Sequence, residues 1–374
     1  MKKSVKQAAK ILIFLVGGCS FGFSAMLMSP YLQAVKKDSI YVLVECDTKD
    51  PVTVEYGMFN QFSSSQIEES ISETLLLKPT YIHKVKLKEL KTGTKYVYSV
   101  SQLGVSSGTY TFNTAVEEGA SFRFAWMADC RTGTDIHSAI AANIKKANPR
   151  FSLYGGDLCA DSTYSSYKSE FFLPNELALI AEVPFFNTVG NHESAGKNTY
   201  AFTQSPESSS GTQKYYSFDY GDLHVLVLNT ELPATEESPQ YKFAKADLEA
   251  SKKAWKLVIS HVPPYVDSSR GDNKNLVKMS KDLFEPGRVD MVISGHDHFY
   301  QHNLVNGIHY MVIGSAGAPV YASKSEKNYV LKNVGDHNYA IADVTPVSLH
   351  MVVYNDKEEV LDTVDLAKPN PIKQ

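Results

Sequence analysis

Val289-Asp290-Met291-Val292-Ile293-Ser294-Gly295-His296-Asp297-His298 is the stretch that settles the fold. A short, largely apolar run suits a strand buried on both faces, as in a parallel sheet. It stops at Ser-Gly and is followed at once by imidazole, carboxylate and imidazole. Four other apolar runs end in a similar way. Phe122–Met127 leads to Asp129, Phe151–Tyr154 to Gly156-Asp157, Phe185–Val189 to Gly190-Asn191-His192-Glu193, and Trp255–Ser260 to His261. Five strands thus each deliver an oxygen or nitrogen ligand at their C-terminal end. In a parallel sheet such ends converge on one edge, where open α/β sheets bind their ligands.

Taken singly, each residue has a plainer reading. A strand-end Asp commonly caps the next helix, and a lone His is more often a satisfied core or surface group than a ligand. The ordered set is what argues for chemistry. Asp, Asn and His without a required thiolate form a hard-to-borderline donor set, suited to Zn, Mn or Fe. Gly156, Gly190 and Gly295 are expected to let the backbone turn sharply beside the ions. A shared carboxylate can hold two cations about 3.5–4 Å apart, the geometry of in-line attack on phosphorus.

Helix-like segments at Ile136–Ala147, Phe171–Ala181, Tyr241–Ala254 and Leu276–Phe284 separate these strands, and Tyr339–Asp365 reads as three more strands. Upstream the pattern is different. Residues 28–116 carry short alternating strands, among them Ser39–Cys46, Val52–Tyr56 and Ile82–Leu87. This spacing predicts a small β-sandwich. Leu87…Leu90-Lys91-Thr92-Gly93-Thr94-Lys95-Tyr96-Val97-Tyr98 resembles the turn and strand of a fibronectin type III domain. Pro30-Tyr31-Leu32-Gln33 and Val54-Glu55-Tyr56-Gly57 are similar to the variant found ahead of purple acid phosphatases. Val116–Ser121 is a polar link to the catalytic-type domain, expected over residues 120–366.

Residues 1–25 read as an export signal. Lys2, Lys3, Lys6 and Lys10 precede an apolar stretch broken by Gly17, Gly18 and Gly22, too interrupted for a good spanning helix. Val16-Gly17-Gly18-Cys19 resembles a lipobox, which would lipidate Cys19; cleavage after Ser24 or Ala25 is the competing route. Either way a periplasmic, cell-surface or secreted location is expected, with membrane contact only through the signal or its lipid. Net charge is −4, and loss of four lysines takes it to −8. That balance disfavours nucleic acid as a partner.

The series Asp129, Gly156-Asp157, Gly190-Asn191-His192-Glu193, His261 and Gly295-His296-Asp297-His298 resembles the calcineurin-like metallophosphoesterase superfamily. With the sandwich in front, it is most similar to bacterial enzymes of purple acid phosphatase type. The resemblance implies an α+β protein in two domains, the sandwich followed by a four-layer αββα phosphoesterase domain. It implies two divalent or trivalent metal ions (Fe, Zn or Mn) and a phosphate-ester substrate attacked by a metal-bound hydroxide. Asp157 would bridge the ions. Asn191, His261 and His296 would complete the second metal site, while Asp129 and His298 would belong to the first. His192 would protonate the leaving oxygen or stabilise the transition state.

Two positions depart from the family pattern. Ala160 stands where the purple enzymes carry a tyrosine ligand, so no tyrosinate colour is expected; Asp161 is a candidate substitute. Arg131 stands where most other members place the His of Asp-x-His, which predicts a weak or exchangeable first metal. Its guanidinium either grips a phosphate oxygen or pairs with an acid such as Asp135. Tyr265, after His261-Val262-Pro263-Pro264, is a candidate pocket residue. Cys130 and Cys159 follow ligands on neighbouring strands and are candidates for a disulfide. The alternatives are a specific phosphodiesterase or nucleotidase and, in another class, a surface-binding protein with a weakened metal site.

Overall fold

The computed structural model describes residues 26–59, 61–66, 71–75, 80–193, 198–323 and 326–369. Residues 1–25, the expected export signal with Cys19, lie outside them.

Three strands run parallel and side by side: Phe122–Met127, Phe151–Tyr154 and Phe185–Asn187. Beyond the first of these, Tyr339–Val344, Ser348–Tyr354 and Val360–Ala367 extend the sheet in antiparallel fashion. A second sheet places Leu223–Val227, Trp255–Ser260, Met291–Ser294 and Ile308–Ile313 in parallel, with antiparallel strands at either edge. The five ligand-bearing strands are therefore divided three and two between facing sheets, not gathered in one. Apolar runs alone do not say which sheet a strand joins.

The two sheets pack through Phe124, Phe151, Phe186, Phe218, Tyr220, Val225, Ile259 and Ile293. Phe186 stacks on Phe218 with ring centroids 3.8 Å apart. The Trp126 indole crosses between the sheets and donates to the Ile313 carbonyl at 2.9 Å. Burying each such aromatic is worth about 2–3 kcal/mol. Thr134–Ala147 and Pro174–Ile180 cover the outer face of the first sheet. Pro239–Ala250 and Lys274–Met279 cover the second, the latter continuing as a wider turn over Ser280–Phe284. Two helical layers around two sheets make the four-layer architecture.

The sandwich is present, with Tyr31–Gln33, Ile40–Cys46, Ile71–Leu75 and Thr80–Leu87 facing Thr53–Met58, Gln61–Gln66, Lys95–Gln102 and Val105–Asn113. It is not an appended bead. Tyr31–Gln33 pairs in parallel with Phe185–Asn187, so one sandwich sheet and the first catalytic-type sheet form a single ten-stranded sheet. The Tyr98 hydroxyl donates to the Ala181 carbonyl at 2.7 Å, and Lys84 reaches the Tyr200 and Thr203 carbonyls at 2.8 and 2.9 Å. Because Phe185–Asn187 leads directly to Asn191 and His192, the sandwich buttresses the strand that carries part of the site.

Candidate metal centre

Each of the five loops begins where a strand ends, and in three of them the backbone turns through a left-handed non-glycine residue. Asp129, Asp157 and His296 adopt φ of 57°, 52° and 68°. For non-glycine residues this is uncommon and concentrates at functional sites. Hydrogen bonds hold the turns: Asp129 N–H donates to the Gly156 carbonyl at 3.0 Å, and Gly295 N–H to the His261 carbonyl at 3.0 Å. Of the three glycines expected to turn sharply, only Gly156 has a positive φ, 85°. Gly190 and Gly295 serve another purpose, because a Cβ there would lie 2.1 Å from Asp157 Oδ1 and 2.3 Å from Asp129 Oδ2. The missing side chains make room for carboxylates.

Four donor atoms converge at the second position. Asn191 Oδ1 lies 3.1 Å from His261 Nε2 and 2.9 Å from His296 Nδ1. His261 Nε2 is 3.2 Å from His296 Nδ1 and 3.3 Å from Asp157 Oδ1. Ligands bound at 2.0–2.2 Å around one ion sit about 3 Å from one another, so these separations suit a cation in their midst. The other His261 nitrogen, Nδ1, is 2.7 Å from the Gly155 carbonyl. A carbonyl only accepts, so Nδ1 carries a hydrogen and Nε2 is the nitrogen turned to the centre. Burial works against charge on His261, but Asp157 and Asp129 beside it raise it to about 10. On Asp157 burial pushes upward, yet His261 and His192 hold the carboxyl well below the usual range. Both directions mark a place that seeks positive charge.

The first position is less complete. His298 Nδ1 donates to the Pro319 carbonyl at 3.0 Å, leaving Nε2 3.5 Å from Asp129 Oδ1. Asp129 Oδ2 accepts the His296 N–H at 2.9 Å, but buried Oδ1 has no hydrogen-bond partner among the described residues. An orphaned carboxylate oxygen is costly unless something positive meets it. Asp129, Asp157 and His261 form a buried group with donor atoms mutually within 4.8 Å. The residues fit a metal centre.

His192 stands beside it. Its Nδ1 donates to the Ala160 carbonyl at 2.6 Å, and its Nε2 is 3.7 Å from Asp157 Oδ2. Ala160 offers no phenolate, but its carbonyl orients this imidazole. Arg131 also faces the centre, with Nε 3.7 Å from Asp157 Oδ2 and Nη2 3.5 Å from His298 Nε2. Its partners are these, not Asp135.

Three expectations are corrected. Cys130 and Cys159 are free, buried thiols. Cys159 Sγ donates to the Asp161 carbonyl at 2.8 Å, and burial pushes both thiols upward. Tyr265 is drawn into a tyrosine cluster, with its ring centroid 4.8 Å from that of Tyr310 and 5.8 Å from that of Tyr329. Asp161 accepts the Thr163 N–H at 2.8 Å and braces its own turn.

Two contributions escaped the sequence reading. Glu193 is buried, and its carboxylate accepts the N–H groups of Asp157 at 3.0 Å, Gly190 at 2.8 Å and Leu158. It clamps the Asp157 and Asn191 loops together. Asp297, between His296 and His298, holds Arg270 Nη1 at 3.0 Å. Arg270 and Asn273 line a cleft of 520 Å³ that opens against His296.

Residues 122–300 match the calcineurin-like phosphoesterase family, and residues 32–114 match the purple acid phosphatase N-terminal domain. The chain thus carries a calcineurin-like phosphoesterase domain behind a purple acid phosphatase N-terminal domain. It is 28% identical over 290 residues to purple acid phosphatase 21 of Arabidopsis thaliana, covering 72% of this chain and 65% of the relative. Against the Fe(3+)-Zn(2+) purple acid phosphatase 12 of the same plant it is 24% identical over 309 residues, covering 72% and 64%. The chain thus spans just under two thirds of these relatives' length. A purple acid phosphatase from yellow lupin (Lupinus luteus) seeds superposes with a TM-score of 0.80 at 18% identity, over 90% of this chain and 74% of that one. A PhoD structure does so at 0.67 and 13%, over 92% of each. These two establish likeness of fold.

Proposed function

We propose that the protein is an exported, metal-dependent phosphoesterase of the acid phosphatase/phosphodiesterase type. The observation that carries this reading is the convergence of Asp157 Oδ1, Asn191 Oδ1, His261 Nε2 and His296 Nδ1, spaced 2.9–3.3 Å along the chain of contacts given above. Asp157, Asn191, His261 and His296 would hold one ion, and Asp129, Asp157 and His298 the other. Bound there, the ions would supply Lewis-acid activation of water and of phosphoryl oxygens.

The chain's own groups do the rest. Water adds to phosphorus, the ester P–O bond breaks opposite, the leaving oxygen takes a proton from Nε2 of His192 in its imidazolium form, and the proton the water gives up restores that form. The Ala160 carbonyl fixes that ring by its other nitrogen, so the proton is presented in one direction. Arg131 supplies a planar cation beside the phosphoryl oxygens. The cleft against His296 takes the alcohol portion of the ester. No covalent enzyme intermediate is needed. The basic, apolar leader supports action outside the cytoplasm.

Hydrolysis of p-nitrophenyl phosphate and bis(p-nitrophenyl) phosphate by wild type and His192→Ala tests this. Loss of turnover with unchanged metal content supports it; unchanged turnover overturns the role of His192.

A further inference from the structure

Arg131 occupies an unusual place for a guanidinium. The lone pair on His298 Nε2, freed by the Nδ1 contact to Pro319, is met by Arg131 Nη2 at 3.5 Å. The same side chain brings Nε to 3.7 Å from Asp157 Oδ2. Asp129 Oδ1, the orphaned oxygen, lies 3.5 Å from that His298 nitrogen. A single guanidinium therefore faces donors from two of the three residues that would hold the first ion. Buried Nε itself has no hydrogen-bond partner among the described residues, so the side chain is held by charge rather than by a closed hydrogen-bond set. Among the described residues the second position has no such occupant: Asn191, His261 and His296 face one another and Asp157.

We propose that Arg131 is the resident cation of the first metal position and competes with the first ion for Asp157 and His298. The inference rests on the metal-centre reading above and goes beyond it in ordering the two positions. The second position loads first. Loading the first ion requires the guanidinium to move off His298 and Asp157, because a unit charge about 4 Å from a dication repels it strongly in a partly buried site. The displaced guanidinium then faces outward, toward the phosphate. Arg131 is thus a positioning residue for the first ion as well as a phosphate contact.

Equilibrium dialysis of the full chain against graded free zinc, with bound zinc counted by mass spectrometry, tests this without reference to turnover. Wild type, Arg131→Ala and Arg131→His are compared, with thermal unfolding confirming that each is folded. The proposal expects wild type to take up zinc in two separate steps. Both variants should move the weaker step to lower free zinc by about tenfold or more while leaving the tighter step in place. Arg131→His should move it further, since it adds a donor where it removes a cation. Identical two-step uptake in all three proteins would overturn the proposal while leaving the metal centre standing. Absence of zinc uptake in all three would overturn the metal-centre reading itself.

Discussion

Replacing Glu193 by Gln keeps the size and shape of the side chain and changes only its charge and half of its acceptor capacity. In the native site one oxygen accepts from Asp157 N–H at 3.0 Å and Gly190 N–H at 2.8 Å, while the other accepts from Leu158 N–H. Whichever way the new amide is turned, its NH2 faces backbone N–H groups that also donate. Losing one or two charge-assisted bonds and burying the abandoned donors costs about 3–5 kcal/mol. Some of that is returned. Burial and the neighbouring Asp157 charge push the Glu193 carboxyl up to about 7, so a neutral group relieves a strain that the carboxylate bears. A net loss of about 1 kcal/mol follows. The loops freed by the change carry Asp157 and Asn191, and a shift near 1 Å at such ligands lowers turnover by about a hundredfold. Urea unfolding monitored by fluorescence, paired with phosphate-ester hydrolysis, reads both effects. Stability within about 0.5 kcal/mol of wild type and unchanged turnover would refute the clamp.

Other consequences are as direct. Gly190→Ala sets a Cβ 2.1 Å from Asp157 Oδ1, so the folded variant should lose bound metal and at least about a hundredfold in turnover; full metal content would show that the loop yields freely. His192→Ala should lower turnover by about 10²–10⁴ with metal content intact, as read by initial rates and metal analysis together. Iron-loaded protein should show no tyrosinate band in the visible spectrum. The Tyr164 hydroxyl is 2.8 Å from Glu45 and that of Tyr321 3.2 Å from Asp297. Away from the centre, His224 lies between Asp219 and Asp247, each 2.8 Å from a ring nitrogen. Burial opposes its charge, but these carboxylates raise it to about 9. A raised histidine stabilises the fold fully below its unfolded value near 6.5, and that contribution disappears as pH rises through 9. Wild type should therefore lose about 3 kcal/mol between pH 6.5 and 10 that His224→Gln does not lose; parallel pH profiles in urea unfolding would contradict this.

The candidate ligand positions were legible because three physical signals coincide in one short stretch. An apolar run marks a buried strand, a small residue marks its end, and Asp129, Asp157, His261 or His296 follows within about three positions. The division of these strands between two sheets was not legible, since Phe151–Tyr154 and Met291–Ser294 are equally apolar on both faces. Neither was Glu193, whose partners are backbone N–H groups that look alike at every position. Gly190 and Gly295 stood out in the sequence, but as turns, whereas their use is to admit Asp157 and Asp129 carboxylates. The disulfide expected between Cys130 and Cys159 followed from strand adjacency, which fixes neither thiol's direction; Cys159 turns to Asp161. Tyr265 lies only four residues from His261, yet the loop carries its ring to Tyr310.

Removal and return of metal addresses the central claim most directly. The full chain is stripped with a chelator, dialysed, and assayed for release of phosphate from p-nitrophenyl phosphate before and after adding Zn²⁺, Mn²⁺ or Fe. Turnover that vanishes with the metal and returns with at least one of these ions is the predicted result. Undiminished turnover in metal-free protein, or none in protein shown to hold the ions, would contradict the account.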